Sequence, residues 1–449
     1  MRLPAFILLL LAGCGDASAP PSPDRAAGAE GSASDAAGAG SSWDGTDDTA
    51  SAAEPGSDRD GDHVDDAHDL APDDPLRALP PAAAEGTARI LVAASPPGTP
   101  HLAGTFNGWT QSPMTTGPLG LFEATVQRPI DGSELRFKFT AGDWTREESG
   151  FRGPDANRTL GADAPPVLAA VIRAWGDDLP AADTTIGTVR VHEAFEAPEL
   201  GRSATLRVLL PPGYDESSRH YPVLYMQDGQ NLFSNSTAAF GTEWQADEAA
   251  WMGALEGRHP DLIIVGIDNS PARSCEYTPF SGAIGCESAT PLGLAYASFV
   301  AERVKPFIDA TYRTIADRRN TFIGGSSRGG LAALVTALQN QETFGAVLGL
   351  SPTTLSAIVG TGFDDFVRAH ARREPIRFFL DYGDAEVVYG HNADELTAAM
   401  QSAATALREA GFDSADIATE VIPGATHDEA SWSRRFPARL AWLLRPPDR

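Results

Sequence analysis

Three residues far apart in the chain have the types that acyl transfer needs. Gly325-Ser326-Ser327-Arg328-Gly329 reads G-x-S-x-G, with an apolar run leading in and a helix-forming run leading out. A strand-turn-helix elbow of this kind needs small residues two before and two after the serine, because the turn is sharp and the helix starts against the strand. It would hold the Ser327 hydroxyl out at the carboxyl end of a strand, while Ser326 is out of frame and reads as a packing or hydrogen-bonding neighbour. A serine hydroxyl is a poor nucleophile at neutral pH, so a base must take its proton and return it to the leaving alkoxide. His427 is the candidate base. A carboxylate should fix its tautomer and stabilise the imidazolium, and Leu380-Asp-Tyr-Gly-Asp-Ala-Glu386 supplies acids between the serine and the histidine. The tetrahedral oxyanion needs two backbone N–H donors. That of Arg328, just after the nucleophile, is one candidate; Gln230 or Gly229 in Gln227-Asp-Gly-Gln230 is the other.

These residues need elements to place them. Ile186 to Val191 and Ala204 to Leu210 read as a hairpin, after which strands and helices alternate. Tyr221–Met226, Leu262–Ile267, Asn320–Gly324, Ala346–Leu350, Ile376–Leu380 and Ala418–Ile422 read as strands. Glu243–Leu255, Leu294–Ala310 and Leu331–Gln339 read as helices. Antiparallel entry strands followed by βα alternation predict an α/β class: an α/β-hydrolase sheet with helices on both faces, over residues 184–449. Ser327, the acids and His427 then each fall at the carboxyl end of a strand, in the order nucleophile, acid, histidine that this sheet uses.

The large domain resembles the putative-esterase family, which is similar to esterase D and to enterochelin esterases and includes feruloyl and acetyl-xylan esterases. The resemblance rests on Val223-Leu-Tyr-Met-Gln-Asp-Gly-Gln-Asn-Leu-Phe233, on Gly266-Ile-Asp-Asn with Arg273 and Glu276-Tyr-Thr-Pro279, and on Gly324-Gly-Ser-Ser. Leu380 to Glu386 and His427-Asp-Glu-Ala-Ser-Trp432 complete it. It implies a serine carboxylic ester hydrolase acting without a cofactor on a small-molecule or glycan-linked ester. It aligns Glu386 with the family's acid and leaves Asp384 as the competitor. Asp228, Arg273 and Trp432 become substrate-pocket candidates. The family usually has Met after the nucleophile; here it is Arg328, whose guanidinium is expected to serve an acidic substrate. The competing class is a surface glycan-binding protein with an inactive hydrolase domain.

Residues 86–173 show short alternating segments with turn residues and no helix-length period, as in Phe122-Glu-Ala-Thr-Val and Leu135-Arg-Phe-Lys-Phe-Thr140. A small all-β sandwich is the physical reading. Leu102-Ala-Gly-Thr-Phe-Asn-Gly-Trp109, Leu135-Arg-Phe-Lys-Phe and Gly142-Asp-Trp144 resemble glycogen-binding, immunoglobulin-like modules. Trp109 and Trp144 are the carbohydrate candidates, since an indole face can stack on a sugar. The other reading is that they pack the sandwich or a contact between domains.

The start of the chain reads differently. Residues 1–13 carry one positive charge and an apolar core too short to span a bilayer, as in a signal peptide. Leu11-Ala-Gly-Cys14 resembles the bacterial lipoprotein signal, which implies lipidation at Cys14 and an exported protein held to a bacterial cell membrane. Residues 14–85 read as a disordered acidic tether. Residues 15–85 hold 17 Asp/Glu against 3 Arg, about half of the net charge of -27, a balance that argues against a nucleic-acid partner. Within the tether, Asp58, Asp60, Asp62, Asp66 and Asp69 have the spacing of a Ca2+ loop, or form a solvated acidic linker. With Cys14 lipidated, Cys275 and Cys286 are the remaining pair, and an exported protein permits a disulfide between them.

Overall fold

The structure, a computed structural model, describes residues 86–445 apart from 95–97, 130–132, 151, 153–154, 162–163, 179–181 and 361. Residues 1–13, expected to be a signal peptide, Cys14, and Asp58, Asp60, Asp62, Asp66 and Asp69, expected to hold Ca2+ or to form a solvated linker, lie outside the described residues. Among the described residues no helix is long and apolar enough to cross a membrane.

The large domain is built on one eight-stranded sheet. Its strands are β1 (Thr188–Ala197), β2 (Arg202–Leu210), β3 (Val223–Gln227), β4 (Ile263–Ile267), β5 (Thr321–Ser326), β6 (Ala346–Leu350), β7 (Arg377–Gly383) and β8 (Ile417–Ile422). They lie side by side in the order β1-β2-β4-β3-β5-β6-β7-β8. β1, β2 and β4 pair antiparallel in succession, and every pair from β4 through β3 to β8 is parallel. A parallel sheet covered on both faces needs strands that are apolar on both sides, and these are. Ile323 and Phe378 point into one core, and their neighbours Phe322 and Phe379 point into the other.

Helices close the two faces. Helix α1 (Ala246–Leu255) and helix α4 (Glu429–Leu443) cover one, through Ala246, Ala249, Phe436 and Leu440. Helices α2 (Arg328–Gln339) and α3 (Ala393–Glu409) cover the other, through Leu331, Leu334, Leu338, Leu396, Met400 and Leu407. Helix α3 opens on a capping box, with Asn392 accepting from the Glu395 N–H and Glu395 accepting from the Asn392 N–H. The Asp428 carboxylate caps α4 by accepting from the Ser431 N–H at 2.9 Å. That cap sits next to His427, so it also fixes where the histidine loop ends.

Residues 87–172 form two four-stranded sheets that share a core of Ile90, Val92, Leu102, Phe137, Phe139 and Ile172. Leu135, Phe137 and Phe139 alternate inward as their spacing predicts. Lys138 breaks the alternation: it is buried between them in sequence, with its ammonium donating to the Ala156 carbonyl at 2.7 Å. The module meets the large domain through Leu91, Leu121 and Val167 against Trp251, Met252 and Leu255 of α1. The Glu256 carboxylate accepts from the Ala169 N–H at 2.9 Å across this junction.

Candidate active site

The register of the sheet brings distant residues into one row. Ser326 pairs with Leu350, and Leu350 with Asp381. The next residues, Ser327, Ser351 and Tyr382, therefore stand together at the carboxyl ends of β5, β6 and β7.

At the elbow, Ser327 has φ 54 and ψ -123, outside the ordinary regions for an L-residue. Neighbouring hydrogen bonds hold it there: its N–H donates to the Leu350 carbonyl at 3.0 Å, and its own carbonyl accepts from the Thr353 N–H at 2.9 Å. Space is tight on either side. A Cβ on Gly325 would lie 2.7 Å from the Gly329 carbonyl carbon, and one on Gly329 would lie 3.0 Å from Asp228 Oδ2.

His427, in the loop after β8, places Nε2 2.9 Å from Ser327 Oγ and Nδ1 2.7 Å from Glu386 Oε2. Glu386 is 1 % exposed. Burial by itself raises its carboxyl, but hydrogen bonds from His427, Ser351 and the Gly383 N–H, with the charge on His427, outweigh it and hold the group below the usual carboxylate range. The competing acid is corrected here. Asp384 points away to accept from the Gly424 N–H at 2.6 Å, in an exposed contact.

The two candidate oxyanion donors come from turns. The Arg328 N–H is in the first turn of α2, and Gly229 and Gln230 open a short 3-10 turn after β3. The leading N–H groups of such turns have no partner inside the turn. Gly229 is packed so closely that a Cβ would lie 2.5 Å from the Gly266 carbonyl carbon. Asp228 before it has φ 59.

Three side-chain expectations change. The Arg328 guanidinium is not offered to an acidic substrate: the residue is 2 % exposed, donates to the Ile284 carbonyl and lies 5.7 Å from the Tyr389 ring centre. Arg273 is not a free cation either. It makes a bidentate pair with Asp228 at 2.6 and 2.7 Å, which neutralises both pocket candidates. Burial works against the charged guanidinium, but Asp228 overrides it and holds its pKa up. Trp432 is no pocket wall: it is 5 % exposed, sets its ring edge-on to His427 at 5.0 Å, and donates from Nε1 to Ser351 Oγ at 3.0 Å. The disulfide expectation is met, with Cys275 and Cys286 bonded at a Cα separation of 5.1 Å.

Sequence reasoning missed Ser351, Arg435 and Arg439. Arg435 Nη2 donates to Ser351 Oγ at 2.5 Å, and Arg439 Nε donates to Asp381 at 3.0 Å. A signal existed: Ser351 directly follows a strand, as Ser327 does, and Trp432, Arg435 and Arg439 have the three- and four-residue spacing of one helix face.

Away from this site, Trp109 and Trp144 stand with ring centres 6.4 Å apart. They line an open cleft of about 960 Å³ with Arg136, Lys138, Arg152 and Asn157. Neither belongs to the module's core or to its junction with the large domain.

Comparison with known proteins covers this same domain. The family model described as "Putative esterase" matches residues 197–443, more than half of the chain. The uncharacterized protein YbbA of Bacillus subtilis (strain 168) is 24% identical over 242 residues, covering 52% of this chain and 90% of that one. An IroE-like serine hydrolase from Shewanella oneidensis aligns with a TM-score of 0.46 and 19% identity, over 57% of this chain and 80% of its own. The enterobactin esterase FES from Shigella flexneri aligns with a TM-score of 0.43 and 15% identity, over 77% of this chain and 88% of its own. The chain belongs to the putative-esterase family and is a carboxylic ester hydrolase.

Proposed function

We propose that the protein cleaves esters through an acyl-enzyme on Ser327. One observation carries this reading: His427 bridges Ser327 Oγ at 2.9 Å and Glu386 at 2.7 Å, at the end of an elbow that strains its serine outward. The Nδ1 hydrogen faces Glu386, which leaves the Nε2 lone pair for the serine proton. Ser327 Oγ attacks the ester carbonyl carbon as its proton passes to Nε2. The negative charge gathers on the former carbonyl oxygen, where the N–H groups of Arg328 and of Gly229 or Gln230 would receive it. Collapse breaks the bond to the alcohol oxygen, which leaves with the proton from Nε2. Water then repeats the attack on the acyl group, again losing its proton to His427, and Ser327 is restored as the acid departs.

Glu386 stays ionised throughout and stabilises the imidazolium that forms twice in each cycle. The substrate class supported is a small-molecule or glycan-linked carboxylic ester. Release of nitrophenol from a short-chain nitrophenyl ester tests the reading. Ser327→Ala should lower kcat by a factor on the order of 10⁴ or more; a variant as fast as the native protein would overturn it.

A further inference from the structure

Behind the catalytic acid lies a buried hydrogen-bond chain that the acyl-transfer steps above do not use. Ser351 follows β6, is fully buried, and has φ 47, a left-handed conformation that costs an L-residue energy. Its Oγ touches three groups: Glu386 Oε1 at 2.6 Å, Trp432 Nε1 at 3.0 Å and Arg435 Nη2 at 2.5 Å. An indole N–H and a guanidinium N–H can only donate, and a serine hydroxyl has one hydrogen and two lone pairs. The two donors therefore occupy both lone pairs. The single Ser351 hydrogen has one remaining place to go, the Glu386 carboxylate.

The consequence runs along the chain. Glu386 Oε1 also accepts from the Gly383 N–H at 2.7 Å and has Arg435 Nη2 at 3.5 Å. With donors already on Oε1, the carboxyl is held as the anion, and Oε2 is left to accept from His427 Nδ1. The Nδ1 tautomer follows, and with it the free Nε2 lone pair facing Ser327. Trp432 joins both ends of this chain, because it donates to Ser351 and sets its ring against the His427 imidazole. The network is closed on its far side by Asp381, which accepts from Arg439 at 3.0 Å and lies 3.6 Å from Arg435.

We infer that Ser351, with its proton direction fixed by Trp432 and Arg435, is a positioning residue that clamps Glu386 in the ionised, histidine-facing state during ester hydrolysis. This rests on the triad reading above and adds to it the residue that sets the acid. The alternative is that Ser351 only fills space and satisfies Trp432 and Arg435. The two differ in what they do to His427. An ionised carboxylate in contact stabilises the imidazolium that forms at attack, so loosening Glu386 must slow proton transfer to Nε2 and displace the acid limb of the pH-rate profile. Lost packing alone would leave that limb where it was.

The test compares native protein, Ser351→Ala and Ser351→Gly, with active sites counted by a serine-directed phosphonate so that unfolded protein drops out. Both variants remove the hydroxyl. Glycine in addition suits the left-handed backbone, so Ser351→Gly keeps its fold even if alanine does not. The expected result, the same in both, is a kcat lower by about tenfold, a KM within about twofold, and an acid limb of kcat/KM moved down by about half a pH unit. An unmoved limb, with kcat either native or reduced, would overturn the positioning role. Ser327→Ala in the same series separates the claims: if it stays active the triad reading fails, and if it is inactive while both Ser351 variants behave as native, only the clamp fails.

Discussion

At the residue scale, the acid is the most informative position. The sequence placed two carboxylates two residues apart, Asp384 and Glu386, in one strand-end loop, and spacing could not say which one turns inward. The structure separates them by partner: Glu386 takes His427, Asp384 takes a backbone N–H across the loop. Glu386→Gln should therefore lower kcat by a factor on the order of 10³ to 10⁴, since it loses the anion that stabilises imidazolium. Asp384→Asn should stay within about twofold of native, as a surface change does; steady-state kinetics on one ester decides between them. Ser327 and His427 were legible because an elbow is a local motif and the order of the three groups is a property of the chain. Arg273 and Arg328 were misread for the opposite reason. Their types were visible, but their partners, Asp228 and the Ile284 carbonyl, lie 45 and 44 residues away.

At the element scale, the periodicities read from the sequence became strands and helices close to where they were expected. The entry strand is the main difference: β1 runs on to Ala197 beside β2, past a bulge between Ala204 and Leu206. What periodicity could not show is the conformation of the strand ends. Asp228, Ser327 and Ser351 all have positive φ without being glycine, and all three stand at the carboxyl ends of neighbouring strands. Such strain survives where surrounding contacts over-determine it. The elbow is the clearest case, because β5 and α2 approach so closely that Gly325 has no room for a methyl group. Gly325→Ala should cost about 1–3 kcal/mol of folding stability through overpacking. Urea unfolding would measure it, and an unchanged midpoint would show that the turn can open to accept the methyl.

At the scale of the whole molecule, the junction between the β module and the large domain buries more acid than base. Glu243, Asp247 and Glu248 converge there, and the module contributes Arg173, 3.2 Å from Glu243 and ion-paired with Glu248. Burial is the main cause that raises the Asp247 carboxyl well above its usual range; the Ile186 N–H, donating at 2.6 Å, opposes it. Glu243 is raised as well, again mainly by burial, with Thr184 and Arg173 opposing. A folded-state pKa raised above the unfolded value contributes stability that is fully present below the unfolded pKa, near 4, and is lost as pH climbs through the raised value. The junction should thus weaken from mildly acid to neutral and alkaline pH. Asp247→Asn keeps an acceptor for Ile186 and removes the charge, so its melting temperature should gain on the native protein's as pH rises from about 5 to about 8. A constant difference across that range would contradict the assignment. None of this was legible in the sequence, where Arg173 and the three acids sit some seventy residues apart on different domains.

Hydrolysis by this route requires the ester's acyl group to pass through Ser327. Mixing the protein with excess nitrophenyl ester, quenching at early times and mapping the acylated peptide by mass spectrometry would show where that group rests. The predicted result is an acyl group on the peptide that carries Ser327, formed with nitrophenol release and missing from Ser327→Ala. An acyl group found on another residue, or hydrolysis that persists in Ser327→Ala, would contradict it.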